Sequence, residues 1–288
     1  MFIGRSDRLL GNKKWTHYRR GTTLSSRKNR PPLAPMNASE YANLDAVEGQ
    51  HWYYAGKREL VRWWLRRCGP PRPDQVLLDC GAGTGRFAAE MAAECRVFVL
   101  DDHEEALRLL RQHFRPEQIL TLAGDAIPLP DASLDYVTAL DVLEHVPDDA
   151  AVVRGFARLV RPGGVAVITV PASMALWSDW DIALHHYRRY QRRQLAALFD
   201  PAAWEIVYLN YTNVVVFPAV WLVRKTRVLL ARLGARPAAA RTEDRLPPAW
   251  LNALLRRLFV GLTKTKLPFP FGVSLLLVAR RRGGAAAE

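Results

Sequence analysis

The stretch "LLDCGAGTGRF", residues 77–87, decides how the rest of the chain is read. Apolar residues lead into Asp79, and Gly81, Gly83 and Gly85 follow before the helix-forming run "GRFAAEMAAEC". Glycine populates positive φ without penalty and lets a ligand approach the backbone, so this spacing predicts a ligand-binding turn between a strand and a helix. Two ligand classes compete for such a turn. A dinucleotide needs G-x-G-x-x-G, and Arg86 stands at its third glycine position, although Asp101 ends the next strand where a ribose-binding acid belongs. An acid at position 79 would repel a pyrophosphate and offset a ligand ammonium.

Outward from this turn the pattern alternates. "QVLLDC", "RVFVLD", "EQILTLAG", "LDYVTAL" and "VAVITV" read as buried strands. "HEEALRLLRQHF" and "DDAAVVRGFARLV" read as helices between them, the second stopped by "RPGG". Upstream, "YYAGKRELVRWWLRRC" has amphipathic helical spacing and ends at "GPPRP" (69–73). Downstream come a helix, "RRQLAALF", and a strand, "WEIVYLN"; the last strand is "GVSLLLVAR" (272–280). Strands buried on both faces and alternating with helices predict an α/β fold, a doubly wound, mostly parallel sheet. Roughly sixty residues part the last two strands, where a compact fold uses a short connection, so an insertion is expected there.

The chain has 288 residues, 49% of them hydrophobic, enough for a sizeable core. Cys68, Cys80 and Cys95 lack metal-ligand spacing and cannot all pair, which fits a reducing, cytoplasmic compartment; no metal is expected. The net charge of +13 is concentrated: residues 1–35 hold nine Lys/Arg against one Asp, and residues 219–268 hold eleven against two acids. The reading divides the chain into a disordered basic arm (1–35), a core (36–210), a basic helical insertion (211–268), and a last strand with a flexible tail (269–288). Whether Met1 or Met36 is the true start stays open.

Several motifs in order, from about residue 48 to 200, resemble the class I S-adenosylmethionine-dependent methyltransferases, within the large group related to quinone-pathway enzymes. "DCGAGTG" resembles their first motif, D-x-G-x-G-x-G; "VFVLDDHEEAL", "GDAIPLPDASLDYV", "ALDVLEHVPDD" and "LVRPGGVAVITVPA" follow in register. The resemblance implies a seven-stranded Rossmann-like sheet with S-adenosylmethionine as cofactor. It implies that Asp79, Gly81, Ala82, Gly83 and Gly85 wrap the methionine end and that Asp101 holds the ribose hydroxyls. Asp125 and Ala126 would meet the adenine, with Asp141 also at the cofactor.

On the acceptor side, "DIALHHYRRY" (181–190) is similar to a D-x-x-x-G-H-x-R-R-Y segment of related bacterial enzymes, with His185 in place of the glycine. "EGQHWYYAGKR" (48–58) is similar to their E-x-x-H-W motif. These segments nominate His186 as general base steered by Asp181, with His145 as rival base. They nominate Arg188 and Arg189 to hold an anionic part of the acceptor, since guanidinium forks suit carboxylate or phosphate oxygens, alongside His51, Trp52 and Tyr190.

Two stretches of the insertion can be drawn as amphipathic helices. In the first, Leu222, Val223, Leu229, Leu230 and Leu233 share a face, with Arg224, Lys225, Arg227 and Arg232 on the other. In the second, Leu251, Leu254, Leu255, Leu258 and Leu262 line up opposite Arg256, Arg257 and Lys264. Helices of this kind lie in a membrane interface or pack on their own domain or a second subunit, and both readings stay open. The expected function is methyl transfer to oxygen or carbon of a small-molecule or lipid-linked acceptor, at an anionic membrane surface on the inner face. The alternatives are an RNA or protein methyltransferase that grips with its basic segments, nucleic acid being the less favoured partner, and a non-catalytic cofactor-binding protein.

Overall fold

The alternating apolar runs assemble into one seven-stranded sheet of order β3-β2-β1-β4-β5-β7-β6. A computed structural model describes residues 38–124, 126–232 and 246–283; the expected basic arm and Asp125 lie outside the described residues. The strands are β1 (Val76–Cys80), β2 (Arg96–Leu100), β3 (Ile119–Leu120), β4 (Leu134–Leu140), β5 (Val160–Pro171), β6 (Trp204–Thr212) and β7 (Ser274–Arg281). β1 to β5 pair in parallel, and β7 runs antiparallel between β5 and β6.

Side chains on a strand point alternately to opposite faces, so each central strand feeds two cores. Leu78, Val137, Ile168 and Leu277 join Phe156 and Trp204 on one side. Leu77, Tyr136, Val167 and Leu276 join Trp64, Leu65, Phe87 and Leu110 on the other. The helices α1 (Ala38–Glu48), α2 (Trp52–Cys68), α3 (Arg86–Met91), α4 (Glu104–His113), α5 (Asp149–Leu159), α6 (Asp179–Ala183) and α7 (Arg192–Ala197) belong to this framework. Strand order reverses direction between β1 and β4. Ligands bind at such switch points, beyond the carboxyl ends of the strands, and both the glycine turn and Asp141 emerge there.

The observed elements depart from the expectation in three places. The run 117–124 forms only the two-residue β3 on the sheet edge. α3 ends at Met91, because "AAEC" turns back toward β2. β5 begins at Val160 and carries "RPGG" within it, with Gly163 at φ +81 absorbing an irregularity.

The insertion forms α8 (Phe217–Arg232) and α9 (Ala249–Lys264), and β6 extends two residues past the expected boundary, to Thr212. α9 lies on α2, where Gly56 admits Phe259: a Cβ there would stand 2.7 Å from the ring. Arg256 and Lys264 each reach Glu59 at 2.9 Å. The wheel of α8 is corrected at one position: Arg224, expected on the outer face, is buried, while Trp221, Leu222 and Val223 are exposed. Trp250, Leu254 and Leu258 of α9 are likewise exposed, Trp250 by 69%. No described helix is long and apolar enough to cross a membrane.

Candidate active site

The glycine turn has the backbone its sequence predicts. Gly81, Gly83 and Gly85 sit at φ +69, +57 and +80. Two of them are required by packing: a Cβ at 81 would lie 2.5 Å from Val142, and one at 85 would lie 2.7 Å from Leu110. At Gly83 a Cβ would meet nothing within 4 Å, so the turn opens onto free space at the switch point.

Asp79 stands on β1, one residue before the strand ends and two before Gly81. It is buried, and its carboxylate accepts a 2.6 Å bond from the Thr138 hydroxyl. Desolvation, with the charge of Asp101 behind it, raises its pKa to about 7. Such an acid is ready for a ligand ammonium. Asp101 accepts from the Gly83, Asp102 and His103 amides at 2.9–3.0 Å, which pins the turn to the end of β2. A carboxylate has about four acceptor positions, so one remains for a ribose hydroxyl. Glu48 of α1 accepts from Thr84 and from Arg86 Nε, latching α1 onto the turn. Arg86, which breaks the dinucleotide pattern, is thus a structural clasp. Ala82 lies beside these residues, and Ala126 closes a small turn with Ala123 through Gly124 at φ +70.

Asp141 follows β4 at φ +59. It receives Lys57 Nζ at 2.7 Å, Thr169 Oγ1 at 3.0 Å and Tyr53 OH at 3.2 Å. Burial would raise its pKa, but Lys57 and these hydrogen bonds hold it below the usual carboxylate range. Lys57 and Thr169 carry no motif signal, and the only trace of Lys57 in the sequence is its place four residues after Tyr53 on an amphipathic helix. Glu144, one turn on, was equally unforeseen. It is 1% exposed, its Oε2 has no hydrogen-bond partner, and burial with the nearby Asp141 charge pushes its pKa well above the ordinary value.

The acceptor-side candidates converge on Asp181, which is fully buried. Its Oδ1 takes Arg189 Nε at 2.6 Å and His186 Nδ1 at 2.9 Å. Its Oδ2 takes the Ser178 amide at 2.9 Å and Arg224 Nη1 at 3.3 Å. Desolvation opposes ionisation, but these donors win and bring its pKa down to about 2. An ionised carboxylate only accepts, so His186 Nδ1 carries the hydrogen and Nε2 keeps its lone pair. His145 stands across from His186, ring centroids 4.7 Å apart. Burial and the His186 neighbour lower its pKa to about 4, so it stays neutral at pH 7.

The remaining candidates have structural partners. Arg189 is buried between Asp181 and the Ala172 carbonyl. Arg188 pairs with Asp149 at 2.6 Å, and Tyr190 donates to the same carboxylate at 2.7 Å. Neither arginine presents an uncommitted fork to an anion. His51 caps α2 by accepting from the Tyr53 amide, and the Trp52 ring packs edge-on to Phe259. His185 adopts φ +56, the left-handed conformation open to glycine, so the replacement keeps a turn of that type. Glu144, His145 and His186 bring three ligand atoms within 4.8 Å of one another, and that trio could hold a divalent cation.

Two apolar clefts lie at the junction with the insertion, one of them against Tyr53 and Lys57. Thr212 and Phe259 line both, and the other runs past Trp52 of α2 and past Val215 and Leu255 of the insertion.

With fold and site described, the class is clear. Residues 78–168 match the family described as methyltransferase domain, and this segment is a class I S-adenosylmethionine-dependent methyltransferase domain. The chain is similar to the ubiquinone biosynthesis O-methyltransferase of Sodalis glossinidius, 35% identical over 147 residues, which is 45% of this chain and 57% of that one. A relative of the same description in Neisseria meningitidis is 36% identical over 148 residues, 45% of this chain and 60% of that one. The chain therefore spans less than two thirds of the length of these relatives. Phosphoethanolamine N-methyltransferase 2 of Haemonchus contortus, solved with S-adenosyl-L-methionine, superposes with a TM-score of 0.55 at 16% identity, over 86% of this chain and 58% of that one. The cofactor of the class is S-adenosylmethionine, and the residues here fit it: a buried acid for the ammonium, open space at Gly83, and Asp101 with an acceptor position to spare.

Proposed function

We propose that this protein transfers the methyl group of S-adenosylmethionine to a ring hydroxyl of a hydrophobic, quinone-like or lipid-linked acceptor, working from the cytoplasm at an anionic membrane surface. The observation that carries the reading is the His186 ring, held through Nδ1 by Asp181 beside the carboxylates that follow β4. Bound cofactor supplies an electrophilic methyl on a sulfonium. Asp79 would hold its ammonium, Asp101 its ribose and the Gly81–Gly85 backbone its methionine end. The acceptor hydroxyl must lose a proton as it attacks, and His186 Nε2 is the group with a lone pair to take it. Asp181 stabilises the imidazolium that results. Lys57 keeps Asp141 charged and fixed, and the apolar cleft beside Tyr53 suits an aliphatic chain on the acceptor. Exposed Trp221, Leu222, Trp250 and Leu254, with Lys225 and Arg257 nearby in sequence, suit a bilayer interface.

The test is transfer of tritiated methyl from S-adenosylmethionine into a cell extract that is then divided into lipid, nucleic-acid and protein fractions. Label is expected in the lipid fraction, and His186→Gln should lower incorporation about 100-fold or more while leaving S-adenosylhomocysteine binding intact. Label in RNA or protein alone overturns the acceptor class. Vesicles containing anionic lipid should float with the protein at low salt, and protein that stays at the bottom of the gradient removes the membrane from the reading.

A further inference from the structure

The Asp181 carboxylate is the meeting point of two parts of the chain that the sequence keeps apart. His186 and Arg189 reach it from the loop after α6, and Arg224 reaches it from the insertion, outside the family-matched residues 78–168. Arg224 is 5% exposed on a helix whose neighbours Trp221, Leu222, Val223 and Lys225 all face outward. A guanidinium is costly to bury, and this one is turned inward against the amphipathic pattern of its own helix. Its Nη1 also donates to the Leu176 carbonyl at 2.5 Å, in the 3-10 turn (Met174–Leu176) that leads to α6. Those two contacts give it a defined place against the loop that presents His186.

We propose that Arg224 is a positioning residue for methyl transfer: from the insertion it fixes the Asp181 carboxylate, and through Asp181 it fixes the His186 ring toward the acceptor. Each oxygen of Asp181 has its own duty. Oδ1 faces His186 and Arg189, and Oδ2 faces Ser178 and Arg224. With Arg224 removed, Oδ2 keeps only the amide and hydroxyl of Ser178, and the carboxylate can turn so that neither oxygen is held against His186 Nδ1. A carboxylate turned away from Nδ1–H no longer selects the tautomer or the ring angle, which costs rate because a small misplacement of a catalytic group is expensive. The insertion is therefore part of the acceptor-side machinery. The inference rests on the reading of His186 as the base.

The test compares the full chain with Arg224→Met, Arg224→Lys, His186→Gln and the double variant Arg224→Met/His186→Gln. Two quantities are read. The first is the rate of tritiated methyl transfer from S-adenosylmethionine into a total-lipid extract dispersed in anionic vesicles. The second is the nitrogen-15 spectrum of histidine-labelled protein with S-adenosylhomocysteine, in which the His186 signals are those missing from His186→Gln. Arg224→Met is expected to lower the rate at least tenfold with S-adenosylhomocysteine affinity unchanged, and to replace a single Nδ1–H tautomer by a mixture. Arg224→Lys should restore most of the rate and the single tautomer, and it carries the test if the methionine variant does not fold. In the His186→Gln background, Arg224→Met should cost little more. An unchanged tautomer in Arg224→Met, or an equal loss of rate in both backgrounds, overturns the proposal. If His186→Gln keeps the wild-type rate, the base reading falls by itself, and the tautomer signal still decides whether Arg224 sets the ring.

Discussion

Asp79 shows how a single side chain can be held ready for a ligand at a measurable cost. Its folded pKa of about 7 lies above the ordinary 3.8, so the folded protein binds the proton more tightly than the unfolded chain does. The stability this contributes is complete below the ordinary value and is lost as pH rises through 7, on the order of 4 kcal/mol if nothing compensates. Asp79→Asn should therefore melt several degrees above wild type at pH 8 and show little difference at pH 4. The same substitution should weaken S-adenosylhomocysteine binding at least tenfold by calorimetry, and wild-type affinity should climb as pH rises through 7. The glycines next door separate packing from binding. Gly81→Ala meets Val142 at 2.5 Å and should destabilise the fold by about 1–3 kcal/mol. Gly83→Ala meets open space, so it should cost only the left-handed backbone penalty of about 1–2 kcal/mol, with a larger relative loss in cofactor affinity. Unfolding and titration measured on both variants check the contrast. These residues were legible because a strand, a turn and a helix N-terminus present them within a few positions. Lys57 and Arg224 were not: Lys57 stands 84 residues from Asp141, and Arg224 stands 43 from Asp181. Only the fold brings such pairs together.

Among elements, the strands and long helices followed from periodicity, and the ends did not. β1 announces itself by five buried residues in succession, whereas β3 is an edge of two residues whose flanks have no partner strand to reward extension. Helix α9 shows why amphipathic wheels underdetermine a face. Phe259, Val260 and Thr263 are buried, Leu255 lines a cleft, and Leu254 and Leu258 remain exposed. One helix is thus apolar on two sides, and a single averaged stripe hides the division. Trp250→Ser with Leu254→Ser should remove vesicle binding and shift stability by no more than about 0.5 kcal/mol, since neither side chain is buried. Gly56→Ala should do the reverse, loosening α9 from α2 at the Phe259 contact and lowering the melting temperature while the outer face stays intact.

At the scale of the molecule, the proposed cofactor site draws on the ends of β1, β2 and β4, with Glu48 of α1 and Lys57 and Tyr53 of α2 bonded to the same residues. A ligand joining so many elements stabilises the whole: S-adenosylhomocysteine at 100 times its dissociation constant should add about 2.7 kcal/mol. Hydrogen exchange should slow in the glycine turn and around Asp141 on binding, with the outer face of α9 unaffected. The charge pattern, an acidic middle between two basic segments, is legible in the sequence alone.

The pairing of β6 with β7 bears on how such a protein can change. Thr212 and Ser274 face each other in adjacent strands, so the whole excursion between them leaves and re-enters the sheet at one doorway. Closing a longer or shorter chain over a fixed gap costs little more, since the entropy grows only with the logarithm of length. The segment can therefore change in length without disturbing the pairing of β6 with β7 or the glycine turn across the sheet. On the reading that Arg224 steadies His186 through Asp181, a replacement segment must bring its own cation for that carboxylate, or the histidine loses its bearing.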